Sequence, residues 1–281
     1  MTRKGATLPL TLAAALGLAG CGGSGSPTSQ STPATTPVTV AKVAASPHAQ
    51  FVAFADHINL KPQDLAGFAT KPEHEKQGSG LAKGLAGKAQ LERCLGSGKE
   101  AKPLFKSSSA TFQQKDGAIG FVTAKSQVEV IPTRTAAEKE LTLARRVLGS
   151  PAKLRCFTSA FDAMLGGSRD THTDGHTVKI TFGRVRAAPV QLAPATSGTA
   201  GGYGLTLTVP VTYSVVVRGH TVKVPAALYW DSLNFILGRA GVGLTTMGFG
   251  APFPSGREAD LFSLLVGRAR QASRRAPAID D

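Results

Sequence analysis

The sequence has few of the features that mark an enzyme, a redox protein or a membrane-spanning protein. It has three cysteines, one tryptophan, and 18 acidic residues against 32 basic ones. No Cys-x-x-Cys pair is present, which removes the usual signal for disulfide exchange or a zinc ribbon. No stretch reaches the ~18 consecutive apolar residues typical of a transmembrane helix, so none is expected. The apolar content of 42% is typical of a chain that folds around a core.

Two fragments of a catalytic motif are present, but the motif is incomplete. Ser150-x-x-Lys153 and Ser232-x-Asn234 match two of the three elements of penicillin-binding enzymes, in which a lysine activates a serine. The third element, Lys-Thr-Gly, is absent, and Ser150 before Pro151 is explained as a helix N-cap. We therefore expect no enzymatic activity.

No cofactor is expected from the remaining motifs. Residues 96–99 resemble part of a phosphate loop, but Arg93 stands where its first glycine belongs and Glu100 replaces the Ser or Thr. The densest cluster of possible metal ligands consists of Asp170, His172, Asp174 and His176. A solvated turn at residues 174–175 that leads into a strand explains this cluster as well. His172, Asp174 and His176 are therefore kept as candidate ligands without a defined metal site.

The N-terminus has the three parts of an export signal. Arg3 and Lys4 form a positive start, and the apolar run 7–18 is shorter than the ~20 residues of a spanning helix. The following Leu18-Ala19-Gly20-Cys21 matches the lipobox of bacterial lipoproteins, which implies cleavage before Cys21 and attachment of lipid to its thiol. The alternative is an ordinary secretory signal with a chance cysteine.

The composition divides the chain into four segments. Residues 1–20 are predicted to be the lipoprotein signal peptide, and residues 21–47, rich in Gly, Ser, Thr and Pro, the lipidated N-terminus and a flexible linker. Residues 48–273 are predicted to form a single domain. Residues 274–281 are predicted to be a disordered tail.

The cysteine count favours one disulfide. Lipidation of Cys21 leaves Cys94 and Cys156, and an even remainder in an oxidising compartment predicts a bridge between them. Two separate buried thiols are the alternative.

Alternation of apolar and polar residues predicts an antiparallel sheet. It is clearest from Leu205 to Val217, where every second residue is apolar, and Asp116-Gly117 is a hairpin signal. Further strands are predicted at 110–114, 119–131, 177–182, 221–225, 228–237 and 242–249. Pro210, in mid-strand, predicts a sheet edge or a bulge.

Helix signals lie on both sides of the strand series. Helices are predicted at 80–95, at 135–149 behind the capping box Thr135–Glu138, at 150–165, and from the capping box Ser255–Glu258 onward. The helix at 150–165 has a predicted buried stripe of Leu154, Phe157, Phe161 and Leu165, and a turn is predicted at 61–65. A long flexible loop is predicted at 187–202. The predicted fold class is α+β, an antiparallel β-sheet packed by helices and preceded by a signal peptide and a disordered tether.

The basic charge predicts affinity for an anionic surface. The formal net charge is +14, and it falls by two to +12 once Arg3 and Lys4 leave with the signal peptide. The export signal and the absence of a basic stripe interleaved with aromatics argue against nucleic acid. The expected partners are the membrane, through lipid on Cys21, and anionic lipid or a cell-wall polymer. The alternative is a solvated face without a partner.

Several short motifs occur in a recognisable order. They are Pro62-x-Asp64-Leu65-x-Gly67-Phe68, Ser126-x-Val128-x-Val130, Asp231 before Gly238-Arg239, and a last helix with Leu264, Leu265, Arg268 and Arg270. With the two cysteines, this order resembles actinobacterial cell-surface lipoproteins and the extracellular sensor domains of actinobacterial membrane kinases. Some of those lipoproteins share the PsbP-like fold, an antiparallel sheet between helices. The resemblance implies a bridge between the cysteines and a role in binding or sensing, with no catalytic residues to carry over.

Two functions remain open at this point. The first is a non-enzymatic, sensor-like module that binds a ligand or partner outside the membrane. The second is a lipid or glycolipid carrier, which needs several hundred cubic ångströms of apolar cavity. Tyr229 and Trp230 beside Asp231 are interpreted either as core residues or as an aromatic binding platform.

Overall fold

The computed structural model describes residues 46–71, 93–94, 101–117, 120–165, 168–173, 176–190, 192, 201–217, 220–276 and 279. All of them belong to one compact unit, Ala44–Asp281. The predicted signal peptide, Cys21, residues 96–99 and most of the helix predicted at 80–95 lie outside the described residues.

The described part of the chain begins with a helix that the sequence analysis left unassigned. Helix α1 spans Pro47–Ile58, and the Ser46 hydroxyl caps it by accepting a hydrogen bond from the Ala49 N–H. Its apolar face is buried, with Phe54 and Ile58 almost fully enclosed. A short 3-10 helix follows at Pro62–Asp64, where the sequence predicts a turn.

In the described part of the chain, ten antiparallel strands form one sheet. They are β1 (Ala69–Lys71), β2 (Phe105–Ser108), β3 (Thr111–Asp116), β4 (Gly120–Val130), β5 (Ser168–Thr173), β6 (His176–Phe182), β7 (Arg186–Val190), β8 (Gly201–Val217), β9 (His220–Leu237) and β10 (Ala240–Phe249). The strand order is β1-β3-β4-β10-β9-β8-β6-β5, with β2 also paired to β4 and β7 also paired to β8. The long strands β4, β10, β9 and β8 thus form the centre of the sheet.

Three more helices are described, and with α1 they cover both faces of the sheet. They are α2 (Arg134–Leu148), α3 (Pro151–Leu165) and α4 (Ser255–Ser273). The first face, which carries Val128 and Val242, packs against α1 and α4 in the largest apolar cluster. The second face, which carries Leu207, packs against α2 and α3 in two smaller clusters. This arrangement confirms the predicted α+β fold class.

Helix α3 confirms its predicted apolar stripe. Leu154, Phe157, Phe161 and Leu165 recur every three or four residues and all pack on the second face. These side chains are partly buried, so each contributes less than the about 1.5–3 kcal/mol of full burial, and together they help to hold the helix on the sheet.

Neither predicted capping box forms. Helix α2 is capped by Thr133, whose hydroxyl accepts from the Ala136 N–H, because the chain is still extended at Thr133. Helix α4 has Pro254 at its N-cap, which has no side-chain acceptor. The Glu258 carboxylate instead accepts a hydrogen bond from Thr246 Oγ1 at 2.5 Å. Helix α2 is thus capped locally, two residues earlier than predicted, whereas Glu258 of α4 makes a tertiary contact instead of a capping box.

The sequence analysis predicted a sheet edge or a bulge at Pro210, whereas the structure has this residue opposite a gap between two partner strands. Pro210 lies in β8, a central strand, and pairs with Ala227 of β9. On the other side, β7 pairs only up to Thr208 and β6 only from Val211, so Pro210 faces the gap between them. Its carbonyl accepts there from the Gly183 N–H at 2.7 Å. The missing N–H of proline therefore costs no ladder bond.

Two further boundaries differ from the prediction. Residues 187–190 form most of β7 and residues 201–202 begin β8, so the long loop predicted at 187–202 is shorter. The predicted disordered tail also begins later than residue 274. Ala276 and Ile279 are buried in the first-face cluster, and the Ile279 carbonyl accepts from the Arg239 N–H at 2.8 Å.

The two cysteines predicted to pair are joined in the structure. Cys94 is bonded to Cys156 of α3, with their Cα atoms 5.6 Å apart. The bridge closes a loop over a sequence separation of 62 residues, so it contributes roughly 4 kcal/mol if the entropy of the unfolded chain dominates.

Candidate functional site

A cleft of about 520 Å³ lies between α2 and the second face of the sheet. Ala101 and Pro103, which precede β2, form one end of it, and Phe157 of α3 contributes to its lining. Its volume lies within the range of pockets that hold small organic ligands.

One wall of the cleft is apolar. It is formed by α2 residues that lie on one side of the helix: Leu143, Ala144, Val147 and Leu148. Leu205 of β8 and Trp230 of β9 continue this apolar surface on the sheet. A ligand in the cleft would therefore bury carbon against the helix.

The floor of the cleft is polar. Trp230, Ser232 and Asn234 occupy successive positions on the second face of β9, about 7 Å apart. Asn234 Nδ2 donates a hydrogen bond to Ser232 Oγ at 2.9 Å. The amide retains one further donor and its carbonyl oxygen for other partners.

An ion pair lies on the side of the cleft formed by β2 and β4. Lys106 Nζ lies 2.5 Å from Glu129 Oε1. Gln127 Nε2 also donates to Glu129 Oε1, at 2.8 Å. The positive and negative charges on this side of the cleft thus offset each other.

Two glycines lie between these polar side chains. Gly241 and Gly243 are two of the second-face positions of β10, and register places Gly243 between Asn234 and Gln127. A Cβ on Gly243 would lie only 2.7 Å from Asn234 Oδ1. The glycine therefore makes room for the Asn234 amide.

A second polar group lies on the first face, under the start of α4. Burial raises the pKa of Asp231, although Thr206 donates a hydrogen bond to it. Burial also raises the pKa of Glu258, and the nearby charge of Asp231 adds to this effect while the hydrogen bond from Thr246 opposes it. Two half-buried carboxyls thus face each other beneath the helix.

The structure separates the two fragments of the penicillin-binding motif. Ser232 and Asn234 both line the cleft, whereas Ser150 and Lys153 do not contribute to its lining. Ser150 Oγ instead accepts from the Lys153 N–H at 3.4 Å, as the N-cap interpretation predicts.

Tyr229 and Trp230, interpreted from the sequence as core residues or as an aromatic platform, lie on opposite faces of the sheet. Trp230 is half-buried, packs against the α3 cluster and lines the cleft. Tyr229, the next residue along β9, faces the other side of the sheet.

The candidate metal ligands lie on the β5–β6 hairpin, apart from Asp174, which is outside the described residues. His172 pairs with Thr177 and His176 with Thr173, so register assigns the two histidine positions to opposite faces. Within the described part of the chain, no group of three or more His, Cys, Asp and Glu side chains is placed to hold a metal.

The arginines of the last helix are partly committed to the domain itself. Arg268 forms two hydrogen bonds of 2.7 Å to Asp64, and Arg257 Nη2 donates to the Ala66 carbonyl at 2.9 Å. These two therefore hold the segment after α1 against α4. Arg274 and Arg275, at the end of the helix, are exposed.

Comparison with known proteins gives little beyond this geometry. No family model matches the chain, and no curated protein matches it. Among solved structures, it is similar to the extracellular domain of PknH from Mycobacterium tuberculosis. The identity is 12%, the TM-score is 0.22, and the match covers 72% of this chain and 100% of that one. At that score the function has to be argued from the site.

None of the helices described here has the length and apolar character needed to cross a membrane.

Sequence reasoning missed the cleft because its parts come from separate segments. The lining combines side chains of α2, α3 and the strands β2, β4, β8 and β9, and no local sequence pattern indicates that these segments meet.

Proposed function

We propose that this protein is a lipid-anchored, extracytoplasmic binding module that holds a ligand in the cleft beneath α2 without transforming it. The cleft is the observation on which the proposal rests, because it combines an apolar wall with a few polar groups on strands. The lipobox at residues 18–21 supports the anchor. The Cys94–Cys156 bridge supports an oxidising compartment.

The chemistry of the cleft favours binding over catalysis. The Ser232 hydroxyl in the cleft accepts from the amide of Asn234, which cannot act as a base. The nearby carboxylate of Glu129 is occupied by Lys106 and Gln127. These contacts hold side chains in place and do not activate a nucleophile.

A lipid or glycolipid carrier is the second candidate. The apolar wall of α2 and the volume of the cleft favour it. The polar floor does not suit a hydrocarbon chain, because its amide and hydroxyl groups would lose water without gaining partners.

Binding can be tested with the emission of Trp230, the one tryptophan in the chain. The purified full chain is mixed with an extract of cell envelope that has been separated into water-soluble and chloroform-soluble pools. We expect the water-soluble pool to shift the emission, and Ala144→Phe, which fills the cleft, to abolish the shift. A shift from the chloroform-soluble pool alone would favour the carrier. If neither pool acts, or if Ala144→Phe responds like the parent, the cleft is not a binding site.

The anchor has its own test. Cys21→Ala should move the protein from the membrane fraction to the medium, because the remaining apolar run is too short to hold it stably. Retention of the variant in the membrane fraction would contradict the lipoprotein assignment.

A further inference from the structure

We propose that the outer end of the β8–β9 hairpin contacts the surface of an anionic membrane, with its valines in the lipid and its basic side chains at the headgroups. This hairpin end consists of residues 212–217 of β8 and 220–225 of β9. The inference goes beyond binding in the cleft. It rests on the proposed function only in that a lipid anchor keeps a membrane within reach.

The hairpin end holds three of the four large apolar side chains that are exposed in the described part of the chain. They are Val216, Val222 and Val224, which are 58%, 46% and 38% exposed. The fourth is Leu104, which lies beside Val130 at the other end of the sheet. Single exposed apolar residues are ordinary, but several in one place indicate a surface that meets an apolar partner.

The hairpin end extends past the described strands on either side of it. Strand β10 pairs with β9 only as far as Leu228, and β6 pairs with β8 only as far as Val215. Residues 220–227 of β9 therefore continue for roughly 27 Å beyond the pairing with β10. Such a projecting pair of strands can reach a surface that the rest of the domain does not touch.

Apolar side chains lie on both faces of the hairpin end. Two apolar rows cross its second face, and they are Val222–Val215–Val178 and Val224–Tyr213–Ile180. Val216 pairs with Thr221 and therefore lies on the first face. A protein partner covers one face of a hairpin, whereas lipid surrounds an inserted one. The amphipathic ring of Tyr213 suits the level of the headgroups.

The charge of this region complements an anionic surface. From residue 175 to residue 230 the sequence has no acidic residue, and it has five basic ones: Lys179, Arg184, Arg186, Arg218 and Lys223. Register places Asp170 of β5 opposite Lys179. Lys223 has Ser214 as its ladder partner and is exposed, so it is the lysine best placed to meet headgroups.

A second copy of the chain fits this surface less well. Two hairpin ends in contact would bring together two regions of the same positive charge, which repel each other. Anionic lipid instead offers negative charge beside an apolar layer, and both features of the hairpin end then have a partner.

The length of the chain before α1 allows the contact. Phe51 of α1 lies at the other end of β9, where Arg239 Cζ is 5.5 Å from the centroid of its ring. Strand β9 is roughly 58 Å long. The 25 residues between Cys21 and Pro47 span up to about 85 Å when extended. An anchor on Cys21 therefore leaves the hairpin end able to reach the same bilayer.

The contact adds to the anchor and does not replace it. A few valines and basic side chains bind lipid weakly and reversibly, as a single acyl chain does. A tether makes such a weak contact effective, because it keeps the local concentration of lipid high. A Cys21→Ala chain therefore still leaves the membrane fraction, yet it binds to concentrated vesicles.

The test measures flotation of the purified Cys21→Ala chain with vesicles of phosphatidylcholine, with and without phosphatidylglycerol. Every variant carries Cys21→Ala, so the contribution of residues 1–20 is the same in all of them. Val222→Thr combined with Val224→Thr keeps the branched shape and should weaken binding to the anionic vesicles by about 5-fold or more. Leu104→Thr is the matched control, since Leu104 is 54% exposed at the other end of the sheet, and should bind like the parent.

The charge is tested separately. Lys223→Gln should weaken binding to the anionic vesicles by about 5-fold, which corresponds to the contribution of one lysine near such a surface. It should not change binding to the neutral vesicles, and added salt should remove the difference. Lys139→Gln, at an exposed position of α2, is the control.

A polarity-sensitive label gives a second readout. In the Cys21→Ala chain the other two cysteines are bonded to each other, so a label attaches to one introduced thiol. On Val222→Cys its emission should shift to the blue when anionic vesicles are added. On Leu104→Cys it should not shift.

Three outcomes would overturn the proposal. They are the absence of binding to anionic vesicles, equal weakening by Leu104→Thr, and equal blue shifts at both labelled positions. If the vesicles do not bind but the double valine variant lowers the mass measured by sedimentation equilibrium, the hairpin end pairs with a second copy instead. The proposed function stands in each case, because it is measured by the emission of Trp230 and by the fraction that holds the Cys21→Ala chain.

Discussion

The two faces of the sheet use polar residues in opposite ways. On the first face, under α1 and α4, polar side chains are buried and paired with one another, as Asp64 is with Arg268. On the second face, along β9 and β10, they lie half-exposed beside glycines and retain hydrogen-bonding capacity. The first arrangement fixes the fold, whereas the second leaves groups for a ligand. Substitutions on the first face should therefore change stability, and those on the second should change binding.

The largest effect is expected from the ion pair between Asp64 and Arg268, whose side chains are 7% and 18% exposed. Arg268→Ala would leave the Asp64 carboxylate without its main partner, at a cost of about 3 kcal/mol in the free energy of unfolding. Denaturant titration measures this loss, with Arg275→Ala, an exposed arginine near the end of α4, as the control.

The same pair predicts a pH dependence. Burial raises the pKa of Asp64. The hydrogen bonds from Arg268 and the Lys61 N–H, together with the charge of the arginine, lower this pKa by more, so the net shift is downward. The pair therefore stabilises the fold above the usual pKa of aspartate, and this contribution is lost as the pH falls through the lowered value. Arg268→Ala should flatten that part of the stability profile. An unchanged profile would show that the pair does not set it.

The second largest loss of stability is expected at Ser126, which is fully buried on the first face. Its hydroxyl donates to Asn59 Oδ1 and accepts from the Leu60 N–H, both at 2.9 Å. Ser126→Ala should cost about 2 kcal/mol because two buried polar groups lose their partner. Ser108→Ala, in β2 on the opposite face, should change the unfolding midpoint little. Similar losses in both variants would break the contrast between the faces.

Substitution of Glu258 is expected to increase the free energy of unfolding, by less than the losses predicted above. The upward pKa shifts of Glu258 and Asp231 mean that the folded state holds their protons more tightly than the unfolded state. Stability from these groups is therefore present at acidic pH and falls as the pH rises through the raised values. Glu258→Gln removes one charge and keeps an acceptor for Thr246.

We expect Glu258→Gln to raise the free energy of unfolding at pH 7 by less than about 1 kcal/mol, since both carboxyls are partly exposed and screened by water. The gain should disappear near pH 4, where Glu258 of the parent is protonated. Asp260→Asn, at an exposed position of the same helix, is the control. A gain that persists at pH 4 would show that charge is not its cause.

The smallest effect on stability is expected in the cleft. Asn234→Ala removes a half-exposed amide whose partner, Ser232, can turn to water, so the loss should be about 0.5 kcal/mol or less. Thermal unfolding measures it in parallel with the emission titration. A loss as large as that of Ser126→Ala would mean that Asn234 is a structural residue and would weaken the case for binding.

The sequence allowed prediction of the features that depend on neighbours along the chain. The alternation in 205–217 and the stripe of α3 are read within one element, so the fold class followed from them. The contact between Asp64 and Arg268 joins residues 204 apart, and no local pattern marks it. The capping box predicted for α4 fails because Glu258 accepts from Thr246 of β10, a contact that the local sequence does not indicate. The cleft depends on the packing of α2 over β8 and β9, which requires the whole topology.

Strand β9 continues past β10, which ends opposite Leu228, so residues 220–227 have a ladder partner on one side only among the described strands. The Ala227 carbonyl points to that outer side, where it accepts from the Gly250 N–H, and Pro225 has the same orientation two residues away. Val222 and Val224 are exposed there and would suit strand addition by a second copy. Pro225 lacks the N–H that such an addition needs, and Lys223 adds a charge between the valines. If these proteins are concentrated on a membrane, as we propose, this edge protects them from polymerising through their sheets.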